Sequence, residues 1–340
     1  MGLQVYDTAV DLGTAGTVIH VRGRGIVLNE PSIVALSPCT GKVLAVGGKA
    51  MALADRSPEE TVIVHPLRGG AISDFNLAGL MLRRFMRSVH GWRQITRPRI
   101  AVAVPNGSTS VERIAIEDAV YQSGARKVYL VEGPLAAAIG MDLDVSGPAA
   151  AMIADLGAGS TDVAIVSMGG LVAAHSVRFG GDDLGRAISG HIRREYGVLV
   201  GEHTADQLKI AVGAPGPRPA EPIPISARSE VGGLPCTLDI PAAELREVVE
   251  APIRSMLSPF QAVLDECPPE LAGDLVDRGM TLTGGTALLT GMDRLITTKT
   301  GIPARIAERP FDSVVLGTAA FLAEMGSWSR AVRWEQAAVR

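Results

Sequence analysis

The sequence predicts an α/β protein made of two similar halves that face one cleft. Three observations carry this. An Asp-Leu-Gly turn occurs twice, as Asp11-Leu12-Gly13-Thr14-Ala15-Gly16-Thr17 and as Asp155-Leu156-Gly157-Ala158-Gly159-Ser160-Thr161. Around both copies, apolar runs of strand length alternate with stretches of helical period, the pattern of a layered α/β fold. Two glycine pairs, Gly180-Gly181 and Gly284-Gly285, stand where a strand gives way to a helix.

Val5–Leu12 and Thr17–Val21 read as a first hairpin, followed by strands at Ile26–Leu28 and Ser32–Leu36. Gly23 and Gly25 turn the chain between the second and third, and Asn29-Glu30-Pro31 reads as another turn. Residues 37–70 form a smaller insertion with a Gly41-Lys42 turn and a Ser57-Pro58 stop. Asp74 is placed to cap a helix carrying Leu77, Met81, Phe85 and Val89 on one stripe, ended by Gly91. Trp92-Arg93-Gln94-Ile95-Thr96-Arg97 then reads as a loop with two large apolar residues between arginines. Ile100–Val104 is a buried strand. Thr109 and Glu112 form a capping box for a helix that reaches Gln122 and closes at Gly124. Lys127–Val131 is the next strand, and Glu132-Gly133-Pro134 turns into a helix.

The second half begins at Ala150 and opens on the second hairpin. Gly169-Gly170 turns into the strand Leu171–Arg178, and Phe179–Leu184 leads into a helix reaching Tyr196. Thr204 is expected to cap a helix on which Asp206 and Lys209, three apart, share a face. Residues 214–224 are proline-rich and irregular. Short strands at Ile223–Ala227 and Cys236–Ile240 flank Gly232-Gly233. Pro241 opens a helix with Leu245, Val248, Val249, Ile253 and Leu257 on its apolar side. Met280–Thr283 and Gly301–Ile306 are the last strands and Ser313–Met325 a final helix. The tail from Trp328 carries two tryptophans among arginines and reads as frayed or docked rather than as an interfacial helix.

A glycine turn lets backbone approach a ligand, and its bare N–H groups form a nest for an anion. Ser160 and Thr161 add hydroxyls. Asp155 stands where it can hold a metal through water, since Mg²⁺ keeps several waters and takes few carboxylates. Two such hairpins imply that each half offers one to the phosphates of a single nucleotide. Gly180 and Gly181 can approach phosphate, with Asp182 near ribose or metal, and Gly284-Gly285-Thr286 occupies the expected place for purine or phosphate.

The chain has 340 residues, enough for two or three domains, with 47% hydrophobic content and a net charge of −4. That balance implies no general affinity for nucleic acid. Three scattered cysteines, Cys39, Cys236 and Cys267, fit a reduced cytoplasmic setting. Neither a signal peptide nor an apolar run of membrane-spanning length is expected.

The paired hairpins resemble the phosphate 1 and phosphate 2 hairpins of the actin, Hsp70 and sugar kinase superfamily. Within it the chain resembles the bacterial MreB/Mbl family, in motifs spread from Val10 to Met325, including Gly25–Ser32, Gly201–Asp206 and Leu282–Leu289. The resemblance implies an actin-like fold of two similar domains, each a mixed five-stranded sheet with helices plus a smaller subdomain. Domain I would cover 1–145 with subdomain IB at 37–70, and 318–340 would return to it. Domain II would cover 146–317 with subdomain IIB at 183–240. ATP would be held by Gly13, Thr14, Ala15, Gly16 and Thr17, by Gly157, Ala158, Gly159, Ser160 and Thr161, by Gly180, Gly181 and Asp182, by Asp206 and Lys209, and by Gly284, Gly285 and Thr286. Mg²⁺ would be held through water by Asp11 and Asp155. Trp92 and Ile95 would touch the membrane. Two apolar side chains give only a few kcal/mol on burial, so lasting attachment would need the many copies of a filament.

One position departs sharply from the resembled pattern. Members usually read Glu-Glu-Pro where this chain reads Glu132-Gly133-Pro134. The second glutamate is credited with orienting the attacking water. Glycine cannot do so, and general-base help is worth about 10²–10⁴ in rate. Glu132 is the remaining catalytic candidate. Asp206 stands where the pattern has a longer acid, and Thr286 where it commonly has a third glycine. The expectation is an ATP-binding, filament-forming protein of the inner membrane surface that directs cell-wall synthesis and cell shape, at most a weak ATPase. Its partners would be itself, the membrane, and wall-synthesis and shape proteins. The alternative is a degenerate paralogue that binds nucleotide without hydrolysing it or polymerising alone. A small-molecule kinase is less expected because no insertion defines a substrate pocket. A chaperone is less expected because no residues remain for a substrate-binding domain.

Overall fold

The computed structural model describes residues 7–91, 97–216 and 221–328. In chain order the first half contains β1 (Thr8–Leu12), β2 (Gly16–Val21), β3 (Gly25–Pro31), β4 (Val34–Leu36), β5 (Val43–Val46), α1 (Gly48–Arg56), β6 (Val62–Val64), β7 (Leu67–Arg68), β8 (Ala71–Ile72), α2 (Phe75–His90), β9 (Arg99–Val104), α3 (Ser110–Gln122), β10 (Lys127–Glu132) and α4 (Gly133–Gly140). The second half contains β11 (Ala151–Leu156), β12 (Thr161–Ser167), β13 (Gly170–Val177), α5 (Gly181–Tyr196), β14 (Val198–Leu199), α6 (Glu202–Val212), β15 (Pro222–Ser229), β16 (Pro235–Pro241), α7 (Ala242–Asp265), α8 (Pro269–Arg278), β17 (Met280–Thr283), α9 (Met292–Thr300), β18 (Ala304–Ile306) and α10 (Ser313–Trp328).

The two halves repeat one design. The first sheet runs β10-β9-β1-β2-β3 and the second, read from its far edge, β18-β17-β11-β12-β13. In each, the leading hairpin strand lies parallel to its inner neighbour and antiparallel to the strand that follows it, which is in turn antiparallel to the next. The hairpins match residue for residue. Asp11 pairs with Val18 and Leu12 with Thr17, while Asp155 pairs with Asp162 and Leu156 with Thr161. Smaller sheets, β5-β4-β6 and β14-β15-β16, accompany the first and second halves.

Each half has its own apolar core. Val10, Ile100, Met81 and Phe85 centre the first, and Met152, Ile188, Val249 and Phe260 the second. A third cluster joins them, in which Leu135 and Ala136 of α4 and Val314 and Phe321 of α10 meet Ile153 and Val166. Asp74 caps α2 by accepting from the Leu77 N–H at 2.9 Å, and Thr109 and Glu112 form both halves of a capping box on α3. Gly91 ends α2 as expected. Other expectations are revised. Asn29-Glu30-Pro31 continues β3, because edge pairing with β2 uses its backbone. Gly201, not Thr204, caps α6, which starts a turn earlier. The strand expected from Val5 is described from Thr8, residues 1–6 lying outside the described chain. No helix among the described residues is long and apolar enough to cross a membrane.

Candidate functional site

Both hairpin turns close on the same bond. The Gly13 N–H donates to the Gly16 carbonyl at 3.0 Å and the Gly157 N–H to the Ser160 carbonyl at 2.9 Å. A Cβ on Gly13 would lie 2.9 Å from the Gly16 oxygen, closer than a side chain can sit, and one on Gly157 would lie 3.2 Å from the Ser160 oxygen, a tight contact that the turn would have to relax by tenths of an ångström to admit. The turns face each other across a cavity of about 670 Å³. Its wall includes Gly13, Thr14, Ala15 and Gly16 from the first turn and Gly157, Ala158, Gly159 and Ser160 from the second. Gly181, Asp182, Asp206, Lys209, Gly284, Gly285 and Thr286 complete the expected set along the wall.

Three expected residues lie off the wall. The Thr17 hydroxyl shares a 2.9 Å hydrogen bond with Ser32, and Thr161 donates to the Phe179 carbonyl at 2.8 Å; both threonines are fully buried. They brace the hairpins from behind, because alternation along a strand turns them away from the cleft. Gly180 packs its backbone on Ala158, where a Cβ would meet the carbonyl at 2.4 Å, and its N–H donates to Asp183 at 2.9 Å. It shapes the entry to α5 rather than lining the cavity.

Acids gather on the floor. Asp11, Asp155 and Asp162 all line the cavity. Burial pushes the Asp11 carboxyl up to about 6. Burial, with Asp162 and Asp11 beside it, pushes Asp155 up to about 8. Asp162, also raised by burial, accepts from the Asn106 N–H at 3.1 Å and from the Ser160 hydroxyl at 3.0 Å. Two buried carboxylates held above their ordinary range, with no donor bonded to either among the described residues, suit a hydrated divalent cation that takes one or two carboxylates. They do not form a cage. No cluster of three metal-binding side chains occurs among the described residues.

Asp206 and Lys209 form an ion pair at 2.5 Å on α6, with Lys209 the more buried partner. Thr286 donates to the Gly157 carbonyl at 2.7 Å, tying the third glycine motif to the second hairpin. Gly284 has φ 82°, and a side chain there would strike Leu156 and Asp155. Gly133 lines the cavity and Glu132 does not. The Glu132 carboxylate turns to Arg113, 2.5 Å away, while its other oxygen is buried without a hydrogen-bond partner, and burial pushes the group up. Trp92 and Ile95 lie outside the described residues.

Residue reasoning missed several parts of the wall. Asp162 was legible as a charge in an otherwise apolar strand, one residue out of phase with Thr161. Phe311, Ile210 and Gly70 left no such trace. Gly70 donates its N–H to the Thr14 hydroxyl at 3.0 Å and packs on Ser160, so the β7–β8 turn touches both hairpins.

Two duplicated sheets with paired glycine hairpins over one cleft define the actin-like class. Across the whole molecule the structure matches that of MreB 5 of Spiroplasma citri bound to AMPPNP, with a TM-score of 0.87 and 29% identity over 96% of this chain and 98% of that one. The profile of the MreB/Mbl protein family matches residues 5–330. The cell shape-determining protein Mbl of Bacillus subtilis (strain 168) is 41% identical over 94% of this chain and 96% of its own length. MreB of Escherichia coli (strain K12) is 42% identical over 93% of each. The chain belongs to the MreB/Mbl family.

Proposed function

We propose that this chain binds ATP with Mg²⁺ in the cleft, polymerises with its own copies, and works at the inner face of the cell membrane, where it directs cell-wall synthesis and cell shape with wall-synthesis and shape proteins. The observation that carries the nucleotide reading is the pair of glycine turns, closed by the same hydrogen bond, facing one cavity. Their N–H groups and the α5 N-terminus would take the phosphates. Lys209, Asp206, Gly285 and Thr286 would hold the nucleoside end. Asp11 and Asp155 would hold Mg²⁺ through water, and the cation would neutralise phosphate charge. In this reading domain I covers 1–145 with its return at 318–340, and domain II covers 146–317. Trp92 and Ile95 would supply the apolar membrane contact.

Hydrolysis is expected to be slow, because Gly133 brings no carboxylate to the wall and Glu132 is engaged by Arg113. A degenerate paralogue that binds nucleotide without turning it over is favoured by this same observation. Phosphate release from Mg-ATP tests both, run beside Gly133→Glu with pelleting of each. A Cβ at Gly133 would lie 3.2 Å from the Val104 carbonyl, so the variant needs a shift of only tenths of an ångström. Release near the blank in wild type, rising about 10²-fold or more in the variant, supports a missing water-positioning group. Ready hydrolysis by wild type would sink that reading, and pelleting without hydrolysis would separate a filament former from the degenerate alternative.

A further inference from the structure

The link between β6 and β7 reaches from the first half to the second beside the cleft. His65 lies in it, and its Nε2 is buried and without a hydrogen bond among the described residues. That nitrogen stands 3.3 Å from the carboxylate of Glu202. Glu202 belongs to the first turn of α6, where the helix N-terminus favours its negative charge. From His65 the chain runs on through Leu67 and Arg68 to the β7–β8 turn, which is wedged between the two hairpins. A Cβ on Gly159 would lie 2.9 Å from both the Gly69 and the Gly70 nitrogens. A pull on His65 toward α6 therefore acts on the segment that closes over both turns.

This contact is an ion pair only while the imidazole carries a proton. Glu202 does most to hold that proton, and Asp182 at the start of α5 adds to it; partial burial and Arg68 of β7 oppose them. The balance raises His65 above its ordinary value, and His65 in turn lowers Glu202. The other contacts across the halves carry no such group. Arg178 with Glu112, at 2.6 Å, stays charged near neutrality, and Asn106 with the Ala174 carbonyl, at 3.1 Å, has no charge to lose. Asp182 also lines the cavity, so the charge on His65 is felt at the wall of the site itself.

We infer that His65 and Glu202 form a proton-dependent clasp that holds the two halves closed, so that nucleotide leaves more slowly as pH falls below neutrality. The inference rests on the nucleotide reading proposed above. In the open form His65 faces solvent and titrates near its ordinary value of about 6.5. The closed form holds the proton more tightly, so the clasp is fully present below that value and is lost as pH rises through the raised one. Glu202 is largely exposed, which limits the effect to at most about fivefold in the release rate.

The test is a double-mutant cycle on the full chain, read by stopped-flow release of a fluorescent ATP analogue with Mg²⁺ at about pH 6 and about pH 8.5, on either side of the histidine range. It compares wild type, His65→Gln, Glu202→Gln and the double variant, all with unchanged melting temperatures. Glutamine at 65 keeps a side-chain N–H and never takes a charge. At the lower pH each single variant should release about two- to fivefold faster than wild type, and the double variant no faster than either. At the higher pH the four should release alike. The carboxylates on the cleft floor titrate in the same range, and the cycle cancels them because all four proteins carry them. His65→Lys, charged at both pH values, should release more slowly than wild type at the higher one. Additive effects at the lower pH, or a coupling of equal size at both, would overturn the clasp and leave the nucleotide reading standing. No binding of the analogue by wild type at either pH would bring down both.

Discussion

Asp155 is held at about 8 and Asp11 at about 6 because the floor of the cleft is buried and crowded with acids. The unfolded chain holds these groups near 4. Their folded values are raised, so they favour the fold fully below pH 4, and that stability is lost as pH rises through 6 and 8. The ligand-free melting temperature is therefore expected to fall between pH 5 and 8. In Asp155→Asn the fall should be shallower and the ligand-free protein stabilised at pH 8, by about 1–3 kcal/mol. The same variant should lose most of the stabilisation that Mg-ATP gives. A melting series at four pH values, with and without Mg-ATP, reads both effects. A fall as steep in the variant as in wild type would mean that Asp155 is already charged in the ligand-free cleft. At this scale the glycines, Asp11 and Asp155 were legible because a turn demands particular residues in a fixed order. Thr17 and Thr161 misled because a hydroxyl beside a phosphate-like turn says nothing about which face of the strand it occupies. Strand alternation, applied from Asp155 through its partner Asp162, would have chosen correctly.

Helices α4 and α10 cross where neither has a side chain. A Cβ on Gly317 would lie 1.7 Å from the Ala136 carbonyl, and one on Gly140 would lie 1.9 Å from the Ser313 carbonyl. Gly317→Ala must push the helices apart within the cluster that joins the two halves. A loss of about 3 kcal/mol is expected, at the upper end for overpacking. Gly273, inside α8, has nothing within 4 Å of its would-be Cβ, so Gly273→Ala should instead gain about 0.5–1 kcal/mol from helix propensity. Denaturant midpoints of the pair decide it. Equal small shifts would mean that the crossing can relax. Capped helices and the two leading hairpins were legible in the sequence, since Asp74, Thr109 and Glu112 act locally. Helices α1 and α8 were not, because Gly48–Arg56 and Pro269–Arg278 are only 9 and 10 residues long and neither opens on a capping side chain. The 24 residues of α7 contain Pro252 and Pro259, which argue locally against a helix that the tertiary core nonetheless holds in one piece.

The duplicated halves were foreseeable from one repeated turn; the contacts that close them were not, because these join residues far apart with no periodic signal. Arg178, at the end of β13, pairs with Glu112 of α3 at 2.6 Å. Asn106 donates its side-chain N–H to the Ala174 carbonyl at 3.1 Å and its backbone N–H to Asp162. His65, after β6, lies 3.3 Å from Glu202 at the start of α6. Each contact links one half to the other beside the cleft, so each favours a closed arrangement, which in the proposed reading would hold a nucleotide on both sides. A ligand that needs the closed form binds in proportion to its population. Arg178 is half exposed, so its pair is worth at most about 1 kcal/mol. Arg178→Gln spares the Thr109–Glu112 capping box and should weaken ATP binding by at most about fivefold, mainly through faster release. The deficit should shrink at high salt, where an exposed pair contributes little even in wild type. Asn106→Ala leaves the Ala174 carbonyl without this bond and should cost about 1–2 kcal/mol in affinity that salt does not touch. Stopped-flow release of a fluorescent ATP analogue at low and high salt separates the two. If neither variant changes the release rate, the halves are held closed by the α4–α10 crossing and the shared core alone, and the contacts beside the cleft follow closure without contributing to it.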